Sequence, residues 1–289
     1  MTYGFKDRGN CDDHRFGVIA KPQETPDYAT EHILEFQLVK RFITEINPKD
    51  GPKYPSPLEG VTGKVDLCEV LRRYWGNDRL TLSLDGSVEF TPMGLVAQAF
   101  PGQKNPYEGE FVLLERGINK AKEGVSDAKA HVLGRSLTLF QMWGTHEINA
   151  DSTMQGYISK DPLKAMKNLR DVVAAYRYHQ DATINDNLKK QSQRIADMFD
   201  RLDSRELPGK DFKPWGLNPY KKVGLKSKWE SWMRGRAELA ERKAVVYLDR
   251  YTKDLANAAS GLGPKFVQSV AILQTQVNDI HQNPWKNPF

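Results

Sequence analysis

Apolar side chains recur at intervals of three and four residues along several parts of this chain, the spacing that places them on one face of an α-helix. The first such segment begins at Thr30, a residue type that often caps helix N-termini, and it ends before the proline- and glycine-rich residues 47–57. A second, shorter segment covers residues 64–75 and stops before Gly76. The pattern therefore predicts helices over residues 30–46 and 64–75.

Strand signals are concentrated in the first half of the chain. Residues 15–22 read RFGVIAKP and are the best strand candidate near the N-terminus. Residues 79–92 alternate polar and apolar side chains around Asp85-Gly86, a pair typical of β-hairpin turns. Residues 111–114 form a short apolar strand that leads into a basic segment. These signals predict a small β element among helices.

The second half of the chain is mostly helical by the same criterion. Pro162 suits the first turn of a helix, and the helical segments are residues 161–181, 184–204, 225–258 and 263–282. No internal repeat is visible in the sequence. We therefore expect an α+β, helix-dominated fold. A small β-hairpin and ββα-like element would lie in residues 1–150, and a helical region of residues 151–289 would pack on it as one compact unit.

The composition is that of an ordinary globular protein, with 39% apolar and 27% charged residues in a chain of 289. No apolar run approaches the ~18–20 residues that a membrane span requires, so we expect no membrane partner. The N-terminus lacks the charged-then-apolar pattern of a signal peptide. Cys11 and Cys68 either form one disulfide or are unrelated thiols, and no cysteine or histidine spacing is typical of zinc.

The positive charge of the chain is unevenly distributed. The formal net charge is +5, but residues 205–254 alone contain 13 Lys and Arg against 7 Asp and Glu, an excess of six. Such an excess fits a polyanionic partner such as nucleic acid. A solvated helix face with additional lysines explains it as well, and the sequence leaves both interpretations open.

Two short segments carry the candidate chemistry. Residues 110–124 read EFVLLERGINKAKEG, an apolar strand followed by a basic helix that carries Asn119 and Lys122. Residues 31–33 read EHI, an acid beside a histidine and an aliphatic residue. Together these segments resemble the two halves of an HNH, or ββα-metal, nuclease motif. The resemblance implies divalent-metal-dependent hydrolysis of phosphodiester bonds in nucleic acid, with DNA and RNA both open as substrates.

The same resemblance implies a role for each of these side chains. Glu31 and the side-chain oxygen of Asn119 would hold Mg²⁺ or another divalent cation, because a hard ion prefers oxygen ligands. His32, neutral near pH 7, would accept a proton from the attacking water. Four further side chains are candidate phosphate contacts, namely Lys122, Arg116, His131 and Arg135.

The chain departs from the family pattern in three respects. His32 and Asn119 are 87 residues apart, a longer separation than is usual in the family. Glu110 stands where the family commonly has an asparagine at the start of the second strand. His32 falls in the first turn of a predicted helix, whereas the histidine of the family ends a strand. Glu31, His32 and Asn119 also have a purely structural interpretation, as residues of helix starts or turns.

A vaguer resemblance joins TEHILEFQLVKRFI with the downstream FVLLERGIN. These segments look like the helical tails that follow the catalytic domain in some fungal killer-toxin-like chitinases. That likeness implies a secreted toxin or effector domain, whose inhibitor or other protein partner the sequence does not identify. The alternative function is a non-catalytic helical interaction protein, or a nucleic-acid-binding module with a vestigial site. In that case we expect Glu31 and Asn119 to lie far apart, or His32 to be buried among apolar neighbours.

Overall fold

The computed structural model describes residues 1–10, 12–20, 27–47, 51–83, 86, 88–102, 105–122 and 150–289. These residues form a helix-dominated α+β protein, with a small sheet in the first half of the chain and helices through the second half, which confirms the predicted fold class. They divide into two compact units, and each unit combines residues from both halves of the chain. The first unit contains residues 1–33, 111–186 and 235–288, and the second contains residues 34–110, 187–234 and Phe289.

The regular elements fall in the following order. The strands are β1 (Thr2–Phe5), β2 (Phe16–Ile19), β3 (Tyr28–Glu31), β4 (Tyr54–Pro55), β5 (Lys64–Val65) and β6 (Val112–Glu115). The α-helices are α1 (Gln37–Glu45), α2 (Leu67–Tyr74), α3 (Pro92–Gln98), α4 (Arg116–Lys122), α5 (Ala150–Lys160), α6 (Pro162–Gln180), α7 (Ala182–Arg201), α8 (Leu225–Ala259) and α9 (Pro264–Gln282). Short 3₁₀ turns occupy Glu108–Glu110 and Lys213–Trp215, and a π-helical turn covers Leu202–Glu206.

The first unit is built on a four-stranded sheet with the order β2-β1-β6-β3. Strand β1 is antiparallel to β2 and parallel to β6, with Tyr3 beside Leu114. Strand β6 is in turn antiparallel to β3, with Thr30 opposite Leu113. Because β6 pairs with two strands from the N-terminal 31 residues, it joins remote parts of the chain in one sheet.

Helix α6 supplies the core that covers this sheet. The ring of Tyr178 lies edge-on to Tyr3, with ring centroids 5.5 Å apart, and the Tyr3 hydroxyl donates to Asp181 at 3.1 Å. Tyr176, on the same helix, accepts a hydrogen bond from the backbone N–H of Trp285 at 2.8 Å. All three tyrosines are buried, and the hydroxyl contacts of Tyr3 and Tyr176 replace hydrogen bonds that water would otherwise make.

The second unit has an aromatic core of its own. Phe42 of α1 contacts Phe199 and Trp229, with ring centroids 5.5 and 5.2 Å away. The indole N–H of the buried Trp75 donates to the hydroxyl of Tyr220 at 3.1 Å. Trp229 of α8 is fully buried and belongs to this core.

A buried carboxylate fixes the start of α8 in this second unit. Asp203 accepts hydrogen bonds from the hydroxyl of Tyr220 at 2.6 Å and from the backbone N–H groups of Val223, Gly224 and Leu225 at 2.9, 2.7 and 3.1 Å. The first backbone N–H groups of a helix have no partner within the helix. Asp203 therefore satisfies those donors from the preceding π-helical turn.

The predicted helix over residues 30–46 is wrong in its first part. Thr30 lies in β3 and pairs with β6, and α1 begins only at Gln37 without a side-chain cap. The apolar periodicity that prompted the prediction is correct from Leu38 onward, where Leu38, Val39 and Phe42 are buried. Pairing with a strand about 80 residues away satisfies the backbone of residues 28–31, and local sequence does not report such pairing.

The other predicted elements agree more closely with the structure. Helix α2 begins at Leu67, with the Asp66 side chain accepting from the backbone N–H of Glu69, so the predicted start at residue 64 was early. In the predicted hairpin, Leu82 and Phe90 form an antiparallel bridge, while Asp85 lies outside the described residues. Pro162 occupies the first turn of α6 as predicted. Within the described part of the chain, no helix is both long and apolar enough to cross a membrane.

Candidate functional site

The two segments of the predicted nuclease motif meet in the first unit. Glu31 pairs with Val112 across the β3–β6 ladder. His32 follows β3 directly, and its ring lies 4.7 Å from that of Phe111 with an interplanar angle of 72°. Helix α4 begins at Arg116, immediately after β6 ends. The long insertion between the two segments therefore does not separate them.

The local sequence explains why β6 stops and α4 starts at this point. Residues 112–114 are apolar, and Val112 and Leu114 are buried in the sheet. Strand β6 ends at Glu115. The backbone N–H of the next residue, Arg116, donates to the carbonyl of Asp27 at 2.9 Å, just before β3. The apolar residues of α4, Ile118 and Ala121, then pack inward.

Two oxygen-bearing side chains of the proposed metal pair are buried in this unit. Glu31 is 3% exposed at the end of β3, and Asn119 is 5% exposed within α4. Buried polar groups of this kind are normally hydrogen-bonded. A carboxylate and a carboxamide oxygen suit a hard cation that keeps most of its water. Among the residues described, no group of three or more His, Cys, Asp or Glu could hold a metal ion.

His32 occupies a partly apolar environment. Its ring contacts Phe111, and burial lowers its pKa below the ordinary value of 6.5. A histidine with a lowered pKa is neutral at pH 7 and so has a nitrogen lone pair available for a proton. The structure corrects the expectation that His32 lies in a helix, because the residue directly follows strand β3 and precedes α1.

The candidate phosphate contacts are described only in part. Arg116 is exposed, and its Nε donates to the carbonyl of Tyr28 at 3.4 Å, next to β3. Lys122 is the last residue of α4. His131 and Arg135 lie outside the described residues.

Sequence reasoning missed a cluster around the carboxylate of Glu115, which lies at the opposite end of the β3–β6 pair from Glu31. Glu115 accepts from the backbone N–H of Phe5 at 3.3 Å and lies 3.2 Å from the guanidinium of Arg8. The cluster is closely packed, because a Cβ at Gly4 would lie 3.1 Å from a carboxylate oxygen of Glu115 and 3.2 Å from the hydroxyl of Tyr28. These residues come from β1, β3, β6 and the loop after β1, so no single stretch of sequence indicates the cluster.

A second acid missed by sequence reasoning lies against α4. A Cβ added to Gly117 would come within 2.7 Å of a carboxylate oxygen of Asp171 in α6, so glycine permits this close approach. Burial, with a contribution from the charge of Glu115, raises the pKa of Asp171 to about 7 despite the nearby Lys167 and Arg170. A carboxyl with a pKa near 7 exchanges its proton readily at neutral pH. Asp171 follows Arg170 in a periodic helix, where a charged residue ordinarily indicates a solvent-facing position.

His14 is a third titratable group of the first unit. It is buried, and neither ring nitrogen makes a hydrogen bond within the described part of the chain. Burial first, and then the charge of Arg170, lowers its pKa to about 4. The guanidinium of Arg170 donates to the carbonyl of Asp13 at 2.6 Å and lies over the ring of Phe5 at 3.7 Å. His14 is therefore neutral at pH 7.

Comparisons with family models, with curated protein sequences and with solved structures give no match for this chain. The functional proposal consequently rests on the residues and geometry described above.

Proposed function

We propose that this protein hydrolyses phosphodiester bonds of nucleic acid at the β3–β6–α4 element, with Mg²⁺ or another divalent cation as cofactor. The observation that carries the proposal is the order of the element: an antiparallel strand pair followed without a gap by a helix. In this order Glu31 ends the first strand, His32 follows it directly, and Asn119 belongs to the helix. The HNH motif has the same order of elements, and Glu31, His32 and Asn119 match its residue types, whereas Glu110 departs from them.

Glu31 and Asn119 are the residues that would hold the cation, through one carboxylate and one carboxamide oxygen. When bound, the ion neutralises charge that develops on the phosphate and on the leaving oxygen. Mg²⁺ is commonly bound by one or two carboxylates together with water and substrate phosphates, so a small donor set suits it.

His32 is the proton acceptor in this proposal. The attacking water forms the new bond to phosphorus and passes its proton to the imidazole, while the bond to the leaving oxygen breaks and that oxygen takes a proton from solvent. The lowered pKa of His32 keeps the ring neutral at pH 7, and Phe111 restricts its orientation. General bases of this kind contribute about 10²–10⁴-fold to rate.

Binding of nucleic acid without hydrolysis is the second candidate function. The low exposure of Glu31 and Asn119 favours it, because a substrate phosphate must reach the residues that hold the cation. The two functions give different results with a chelator: hydrolysis stops when the cation is removed, whereas salt-dependent binding continues.

The test is cleavage of a supercoiled plasmid and of a single-stranded RNA, with Mg²⁺ and with excess EDTA. The proposal predicts cleavage of at least one substrate by the wild type in Mg²⁺, none in EDTA, and a loss of activity in Glu31→Gln. Binding of Mn²⁺, followed by electron paramagnetic resonance, should weaken in Glu31→Gln and in Asn119→Ala. Cleavage that persists in EDTA, or Mn²⁺ binding unchanged in both variants, would contradict the proposed site.

A further inference from the structure

The second unit contains a polar cavity of about 320 Å³ whose lining includes Arg72, Arg73, Asn77, Arg79 and Trp215. We propose that this cavity binds single-stranded nucleic acid, with the guanidinium groups on backbone phosphates and a base stacked on the indole. The cavity is separate in sequence from every residue assigned to hydrolysis. It defines a second site of different chemistry, which recognises the strand and does not cleave it.

Two of the arginines are held in place by one carboxylate. Glu69 accepts from Nε and NH2 of Arg72 at 2.8 and 2.7 Å, and from Nε of Arg73 at 2.8 Å. Hydrogen bonds from Arg72 and then Arg73 lower the pKa of Glu69 to about 2, so it stays ionised at neutral pH. A guanidinium has five N–H donors, and among the described residues most donors of both arginines make no hydrogen bond. The arrangement orients two phosphate-binding groups before any ligand arrives.

The third arginine is positioned by a turn at the end of α2. The side-chain oxygen of Asn77 accepts from the backbone N–H of Arg79 at 3.0 Å, and its carbonyl accepts from Leu80 at 3.0 Å. Leu80 is buried and anchors the turn. Arg79 itself is exposed, and no acidic side chain forms an ion pair with it among the residues that the structure describes. Its positive charge is therefore available to a ligand.

Trp215 supplies the stacking surface. The indole is partly exposed, and it is held against the buried ring of Phe212, with ring centroids 5.8 Å apart. Gly216 follows with a φ of 66°, a conformation that glycine adopts easily, and this turns the chain so that Leu217 bridges to Leu58. An aromatic ring fixed beside several arginines is the combination that binds unpaired bases and their phosphates.

The chemistry of the lining favours a single strand over a duplex or a free anion. Stacking on an indole requires a base whose face is open, which paired bases do not offer. Inorganic phosphate would use the arginines but leave the indole without a role. Asn77 and the neighbouring Asp78 in the lining offer donors and acceptors that could contact base edges. A volume of about 320 Å³ suits a nucleotide-sized part of the strand.

The test measures binding in EDTA, where the proposed hydrolysis is switched off. Fluorescein-labelled oligothymidylate and oligouridylate are titrated with the protein, and fluorescence anisotropy gives Kd over a series of salt concentrations. Trp215→Leu should weaken binding about fivefold or more, the range for loss of one stacked base. Arg79→Ala should lower the slope of log Kd against log salt by about 0.7, the value for one contact to a single strand.

Arg205→Ala is the matched control, because it removes the same charge from an exposed position in the second unit outside the cavity lining. It should leave Kd and the salt slope at their wild-type values.

The proposal is overturned if the wild type binds neither strand, if Arg205→Ala loses as much affinity as Arg79→Ala, or if a duplex or a nucleoside monophosphate binds as tightly as the strand. Arg79→Glu, at an exposed position, provides the decisive variant should Trp215→Leu fail to fold. A cavity variant that loses strand binding but still cleaves, or a wild type that binds the strand but does not cleave, distinguishes this proposal from the hydrolytic one.

Discussion

The imidazole of His32 lies edge-on to the ring of Phe111, with centroids 4.7 Å apart. This contact joins residues that flank β3 and β6, the two strands that bring the N-terminal acid–histidine pair next to α4. It also contributes to the burial that keeps the histidine neutral. Both the position and the protonation of the proposed base therefore depend on one aromatic neighbour.

Replacing Phe111 with leucine should raise the pKa of His32 toward 6.5. The physical reason is that burial alone lowers this pKa, and a smaller side chain admits water to the ring. The measurement is a pH titration of the His32 imidazole by NMR. Phe16→Leu, which makes the same change elsewhere in the first unit, should leave the His32 titration unchanged. An unchanged His32 pKa in Phe111→Leu would show that other groups determine its environment.

Gly117→Ala should destabilise the protein by about 1–3 kcal/mol. The added methyl group would lie 2.7 Å from the buried carboxylate of Asp171, so the helix or the carboxylate must move. Gly156→Ala is the matched control, because Gly156 also lies within a helix and its Cβ would meet nothing within 4 Å. That variant should gain about 0.5–1 kcal/mol from a better helix former. Chemical denaturation measures both, and equal effects would contradict the close approach.

The pH dependence of stability should contain two opposed contributions from the first unit. The pKa of Asp171 is raised to about 7, so its contribution is complete at low pH and is lost as pH rises through 7. The pKa of His14 is lowered to about 4, so its contribution is complete above 6.5 and is lost as pH falls through 4. The two slopes oppose each other between these values.

Single variants should therefore separate these slopes. Asp171→Asn should make the free energy of unfolding rise more steeply with pH than in the wild type, and His14→Gln should make it rise less steeply or fall. Each change should amount to at most about 1.4 kcal/mol per pH unit. Denaturation at a series of pH values measures the slopes, and two variants with the wild-type slope would refute both assignments.

Asp203→Ala should destabilise the second unit by about 3 kcal/mol or more. The carboxylate accepts four hydrogen bonds, and its removal leaves the hydroxyl of Tyr220 and the first N–H groups before and within α8 without that partner. Asp200→Ala is the control at a partly exposed position that bonds Ser204 and Lys222, where the loss should stay below about 1 kcal/mol. Similar losses in the two variants would contradict the capping role of Asp203.

Local signals predicted the elements that are determined locally. Pro162 and Pro264 begin α6 and α9 as expected, and the apolar periodicity from Leu38 identifies the buried face of α1. The strand at Thr30 was missed because its partner is about 80 residues away, and helical spacing nearby suggested a longer helix. The fold class was therefore predictable, whereas this strand pairing was not.

Sequence alone singled out only those candidate residues that match a known motif. Glu31, His32 and Asn119 have the residue types of a nuclease motif, so sequence could single them out. Glu115 and Asp171 are buried by neighbours on other elements. For Asp171 this burial also raises the pKa of the carboxyl. Nothing within a few positions of either residue indicates those neighbours.

The most direct test of the account is the single-turnover cleavage rate of His32→Gln in Mg²⁺, with plasmid DNA and single-stranded RNA as substrates. His281→Gln, a change at an exposed histidine bonded to Asp249, serves as the control. The account predicts that His32→Gln loses about 10²–10⁴-fold in rate and that His281→Gln cleaves like the wild type. Cleavage by His32→Gln at the wild-type rate, or no cleavage by the wild type on either substrate, would contradict it.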